Sequence, residues 1–247
     1  MATDSFSEKR IQEQNLELDP KRTTGLVRRA QAYNECRRWS EAAEDATKAL
    51  AIKPQLVNAY TVRARARNQA GNRKGAIADL DQALNLKPTK WLYKDRGWLR
   101  FTEGAWADAA SDFRKYTPPP KDETLAAALW IFVSRVRAGE PAQAKEELIK
   151  GFEFGNQDPS DFYRAVFRYL TGEMTEDKLL SASESSSSDV ARHRLCVAQF
   201  YIGNVKAAAG RIGGAIAAYE RCLETKQSGL GEYVAAGADL ERLKKAK

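Results

Sequence analysis

Residues 49–54 read ALAIKP and residues 83–88 read ALNLKP. A weaker copy, NLELDP, occupies residues 15–20, so Pro20, Pro54 and Pro88 stand 34 residues apart twice over. Proline fixes φ and lacks an N–H, so it stops a helix rather than continuing it. A helix stopped at a constant interval predicts a unit of two helices repeated along the chain.

Other positions keep step with the prolines. Ala42, Ala76 and Ala109 correspond, as do Ala30, Ala64 and Gly97; the first step in each set is 34 residues and the last is 33. Trp39 and Trp106 also share one place. Small residues let two antiparallel helices approach closely, and a larger side chain there would cost about 1–3 kcal/mol. Gly71 and Gly104 fall in the turns between helices, where a positive φ is needed. Arginine precedes aspartate by 16 residues in each copy: Arg29 and Asp45, Arg63 and Asp79, Arg96 and Asp112. This spacing sets an arginine of the first helix opposite an aspartate of the second. It predicts three structural ion pairs with partly buried guanidinium groups. Arg63→Ala should therefore lower stability, because it strands Asp79.

Over residues 21–120 these features together resemble the tetratricopeptide repeat (TPR) family. The resemblance implies an all-α fold, a right-handed superhelix of stacked antiparallel helix pairs. The expected organisation is a half-repeat or capping helix at 1–20, three regular TPR motifs at 21–120, and degenerate TPR-like helical repeats with a C-terminal capping helix at 121–247. SEKRIQEQNLELDP at 7–20 reads as the second helix of a repeat without its first. Pro118, Pro119 and Pro120 cannot continue a helix, and Tyr116 stands where Ala49 and Ala83 stand. Residues 117–121 are therefore expected to form a kink or boundary.

Beyond that point the helical period persists without the Arg–Asp spacing. TLAAALWIFVSRVRAGEPAQAKEELIKGF reads as helix, Gly139 turn and helix, with Ala144 and Leu148 facing inward. DFYRAVFRYLTGEMTEDKLL reads as helix, Gly172 turn and a short helix starting at Thr175. SESSSSD at 183–189 is a polar linker in which Ser188 or Asp189 is expected to cap the next helix. FRYLTGEMTEDKLL, with Arg168, Tyr169, Leu170, Gly172, Leu179 and Leu180, is followed by QFYIG at 199–203, then Gly210, Ala215, Tyr219 and Glu232–Tyr233. This set is similar to one bacterial TPR subfamily, the new-lipoprotein-I type of envelope adaptor. The resemblance implies a dimeric, outer-membrane-anchored scaffold that brings cell-wall hydrolases and a protease together. No lipid-accepting cysteine lies near Met1, so anchoring is not expected.

Composition narrows the remaining classes. The 247 residues carry a net charge of +7, with a pI near 9.2. Residues 21–120 hold 20 Lys and Arg against 10 Asp and Glu, so the basic surplus lies there. It reads as a solvated helix surface or as a face for an acidic peptide. A nucleic-acid binder is the alternative, but no nucleic-acid motif is present and the aromatics are not interleaved with the basic residues. No run of 18 apolar residues occurs, so no membrane span is expected. With no apolar h-region in MATDSFSEKR, a soluble chain in cytoplasm or periplasm is expected.

Chemistry-bearing clusters are sparse. Cys36, Cys196 and Cys222 form no CxxC pair and read as small buried helix residues. His193, three before Cys196, supplies too few ligands for a metal site. GRIGG at 210–214 lacks the spacing of a phosphate loop, and Glu146–Glu147 read as helix-surface acids. No catalytic residue, cofactor or metal is predicted. What remains is a groove lined by the first helices. Repeat register places there Gln31, Asn34 and Glu35, then Asn58, Thr61, Arg65, Asn68 and Gln69, then Trp91, Lys94, Trp98 and Phe101. Amides can pair with an extended peptide backbone, Arg65 and Lys94 can meet a carboxylate, and Trp98 and Phe101 can anchor. Trp91 and Trp98 equally fit packing between repeats. The two-carboxylate clamp of chaperone-cofactor TPR domains is not matched, because Val27 and Gln31 stand where it wants lysine and asparagine. The expected partner is a protein or peptide, acidic in character, with a homodimer as a further expectation.

Overall fold

A computed structural model describes residues 23–116, 124–155 and 161–245. The half-repeat expected at 1–20 and the proline boundary at 117–121 lie outside the described residues. Thirteen helices and no strand occur among the described residues. They are α1 (Thr23–Glu35), α2 (Trp39–Ile52), α3 (Val57–Gln69), α4 (Arg73–Leu86), α5 (Lys90–Glu103), α6 (Trp106–Tyr116), α7 (Thr124–Arg137), α8 (Pro141–Gly155), α9 (Asp161–Leu170), α10 (Glu176–Ala182), α11 (Ser188–Ala208), α12 (Ile212–Glu224) and α13 (Gly231–Lys245). None of these is long and apolar enough to cross a membrane. The chain divides into two compact units, Met1–Leu99 and Arg100–Lys247, with the division inside α5.

One turn geometry recurs throughout. Gly71, Gly104, Gly139, Gly172 and Gly210 all have positive φ, from 72° to 87°. In each turn that residue's amide donates to the carbonyl three residues back, and the next amide donates to the carbonyl five back. This double bond satisfies the last carbonyls of the helix and turns the chain into its partner. Arg37 makes the same two-bond turn at φ 59°, so the first hairpin uses a side chain where the others use glycine. The repeat therefore continues through the second unit although its other signature residues fade.

Within the first unit, Leu26, Val27 and Ala30 of α1 pack on Ala46, Ala49 and Leu50 of α2, and on Ala59 and Val62 of α3. Ala64, Ala76, Leu80, Ala83, Leu84 and Leu92 form a second core layer. Ala30, Ala42 and Ala76 are fully buried, as close helix approach requires. In the second unit Ala144 and Leu148 are fully buried, as are Ala215 and Tyr219. Phe101, Phe113, Trp130 and Phe200 form an aromatic cluster there, with Phe101 edge-on to Trp130 at 5.3 Å.

The first two predicted ion pairs are present. Arg29 grips Asp45 through two bonds of 2.5 and 2.8 Å. Arg63 grips Asp79 at 2.6 and 3.0 Å, and Thr47 Oγ1 accepts another of its bonds. Arg96 donates to Asp81 at 2.6 Å, while Asp112 accepts from Arg100 at 2.7 Å. A second arginine series emerges at spacing 12: Arg67 to Asp79, Arg100 to Asp112 and Arg135 to Glu147. The arginine–acid contact thus persists into the second unit with glutamate replacing aspartate. Glu147 is not a free surface acid, since Arg114 also meets it at 3.0 Å. Two smaller expectations are also corrected. Ser187 holds the N-cap position after the serine run without a side-chain cap bond, because α11 starts at Ser188. Cys36 is half-buried, since α1 ends before it.

Candidate functional site

A cavity of about 720 Å³ opens in the first unit between α1, α3 and α5, with Leu80 of α4 at its base. Gln31, Asn34, Glu35, Thr61, Arg65, Asn68 and Trp98, all placed in the groove by helical phase alone, line it. Their positions follow from the inward faces of successive first helices, where residues three or four apart share one side. Val62, Ala64, Leu80 and Leu99 supply an apolar floor.

The polar groups differ in how free they are. Asn34 is 3% exposed; its Nδ2 donates to Val62 O at 3.0 Å, while Oδ1 has no partner. It therefore couples α1 to α3 and leaves an acceptor at the cavity wall. Thr61 Oγ1 donates to Asn58 O at 2.9 Å, a local bond that keeps it on its own helix. Arg65 is exposed, and so is Gln31.

On α5 the face differs from the predicted one. Asp95, Trp98 and Leu99 line the cavity. Lys94 lies with its ammonium 5.4 Å from the Trp91 ring, and Lys90 flanks the same ring at 5.0 Å. Trp91 is 47% exposed. Phe101 is 1% exposed and belongs to the aromatic cluster of the second unit, so it cannot anchor a ligand in this groove. Lys94 and Phe101 lie at one edge of the stripe that 95, 98 and 99 define, while Trp91 shares its phase but sits a turn nearer the helix start. Asp95, three residues before Trp98, shares its helix face. The cavity setting desolvates Asp95 and raises its carboxyl above the ordinary range, with Lys94 opposing the rise. The wall thus combines one guanidinium with the carboxyl groups of Glu35 and Asp95.

The other chemistry-bearing residues stay apart from this cavity. His193 lines a smaller recess of about 350 Å³ in the second unit, where Arg194 stacks over Phe162. No group of three or more His, Cys, Asp or Glu among the described residues is arranged to hold a metal ion. Cys196 and Cys222 are fully buried and their sulfurs lie 3.2 Å apart. That contact lowers the Cys196 thiol and raises the Cys222 thiol.

No family model matches the chain. Solved structures are similar in backbone. The C-terminal part of a TPR repeat-containing protein from Cytophaga hutchinsonii matches with TM-score 0.57 at 14% identity, covering 95% of each chain. A tetratricopeptide repeat protein from Parabacteroides merdae matches with TM-score 0.56 at 15% identity, covering 97% of this chain and 90% of that one. The fold is the tetratricopeptide-repeat solenoid. The TPR arrangement accounts for the recurrent turns and for the cavity between successive first helices. MamA, at 19% identity and TM-score 0.54, covers 62% of this chain and 85% of its own.

Proposed function

We propose that this TPR chain is a non-enzymatic interaction scaffold that holds an extended peptide segment in the first-unit cavity. One observation carries the reading: seven residues chosen from helical phase alone line a single cavity of about 720 Å³. Gln31 and Asn68 can pair with a peptide backbone, Arg65 can take a carboxylate, and Trp98 offers an aromatic platform. Glu35 and Asp95 on the same wall favour a segment of mixed charge over a uniformly acidic one. That the partner is a cell-envelope hydrolase rests on the resemblance carried by residues 167–180 and 199–203, Gly210, Ala215, Tyr219 and Glu232–Tyr233. The homodimer rests on the same resemblance, and sedimentation of the intact chain tests it.

The binding test is a peptide display selection against the intact chain, followed by affinity measurements. Arg65→Glu, Asn68→Ala and Trp98→Ala should each weaken the selected peptides by about tenfold or more, the loss expected for interface hot spots. Peptides that bind all three variants as tightly as the parent would remove this site from consideration.

A further inference from the structure

The second unit contains its own cavity, of about 800 Å³, between α7, the start of α8, the α9–α10 turn and the end of α11. Its volume lies within the range of small-molecule sites. Phe132, Val136, Leu170, Met174 and Val205 give it an apolar interior, and methionine adapts readily to chain-like ligands. Phe132 and Leu170 are buried, so this interior is part of the packed unit.

The charged groups around it are not balanced. Glu176 lines the cavity but is engaged by Lys206 at 2.7 Å. Lys145 and Arg211 also line it, both are exposed, and no carboxylate among the described residues pairs with either. The Tyr169 phenol lies beside them; burial holds it protonated, raised to about 12, with Glu176 adding to the rise and Arg211 opposing it. The remaining hydroxyls are satisfied locally. Thr171 Oγ1 bonds to Arg168 O and Glu173 Oε1, and Thr175 Oγ1 accepts from the Lys178 amide. Unlike the first-unit groove, this cavity has no asparagine or glutamine among its described lining residues to meet a peptide backbone.

We propose that this cavity binds a single-chain amphiphile with a carboxylate head, its chain against Phe132, Val136 and Met174 and its head at Arg211, Lys145 and the Tyr169 hydroxyl. Cationic heads are repelled by the two unpaired cations. Neutral heads leave those cations without a counter-charge. A peptide would leave its own amides unpaired against an apolar wall. The site is separate from the peptide groove and does not depend on that reading.

The test is calorimetric titration of the intact chain with laurate, decanoate and dodecylammonium below their micelle concentrations and with dodecanol below its solubility limit. Laurate should bind, and decanoate should bind roughly fifteenfold more weakly, since each buried methylene is worth about a factor of four. Dodecanol and dodecylammonium should bind at least tenfold more weakly than laurate. Arg211→Glu and Lys145→Glu, both at exposed positions, should each cost tenfold or more in laurate affinity while leaving the thermal melt of the free chain unchanged. The proposal is overturned if dodecanol matches laurate, if neither charge reversal weakens laurate, or if an apolar-ended peptide binds the cavity while laurate does not.

Discussion

The guanidinium of Arg137 on α7 donates to the carboxylate of Asp239 on α13 at 3.0 Å, across 102 residues of chain. Their side chains are 5% and 1% exposed. Arg137 also donates to Tyr219 Oη at 3.0 Å and stacks over Trp106 at 4.2 Å, while Arg242 bonds to Asp239 from the other side. This network ties the last helix to the interior of the second unit.

Removing Arg137 strips the buried Asp239 of one of its two guanidinium partners and takes the donor from Tyr219 Oη. Arg137→Met should destabilise by about 3–5 kcal/mol. The double variant Arg137→Met, Asp239→Leu should recover much of that loss, and chemical denaturation of the three proteins measures it. Equal losses in the single and double variants would show that packing, not charge pairing, holds α13.

Arg37 occupies the turn position that glycine fills in the other five hairpins, at φ 59°. A side chain in the left-handed region costs about 1–2 kcal/mol, and glycine there costs somewhat less in chain entropy. Arg37→Gly should therefore stabilise the protein by roughly 0.5–1 kcal/mol. Arg37→Ala should give no gain. Paired thermal melts distinguish the two.

Gly203 of α11 faces Tyr219 of α12: a methyl group there would sit 2.4 Å from Tyr219 Cε1. Tyr219 is fully buried and hydrogen-bonded to Arg137, so it cannot move aside. Gly203→Ala should destabilise by about 1–3 kcal/mol. Gly213→Ala, with open space around the added carbon, should be neutral or stabilising, and denaturant midpoints compare them.

Burial raises the Glu232 carboxyl above its ordinary range, and only its own backbone amide opposes the rise. Tyr163, Tyr201, Cys196 and Cys222 are its titratable neighbours, and none of them supplies a positive charge. The folded state therefore holds this proton more tightly than the unfolded chain does. Its contribution to stability is present at low pH and is lost as pH rises through the folded-state value. Glu232→Gln should remove that loss and raise stability at neutral pH. A stability–pH profile unchanged by the substitution would contradict it.

The repeat itself could be read from the chain because it is local. Proline spacing, paired alanines and turn glycines each report on helices adjacent in sequence, and the same phase placed Gln31, Asn34, Thr61, Arg65, Asn68 and Trp98 at one cavity. The Arg37 turn carries no glycine to mark it, and Glu147 stands where the motif has aspartate. Contacts between distant segments were of another kind. Whether Phe101 faces a groove or a core, that Lys94 yields its place to Asp95, and that Arg137 meets Asp239 all depend on which helix faces finally come together. A period specifies how each hairpin closes on its neighbour, since that geometry repeats. The partners of side chains a hundred residues apart are decided only when those hairpins have packed.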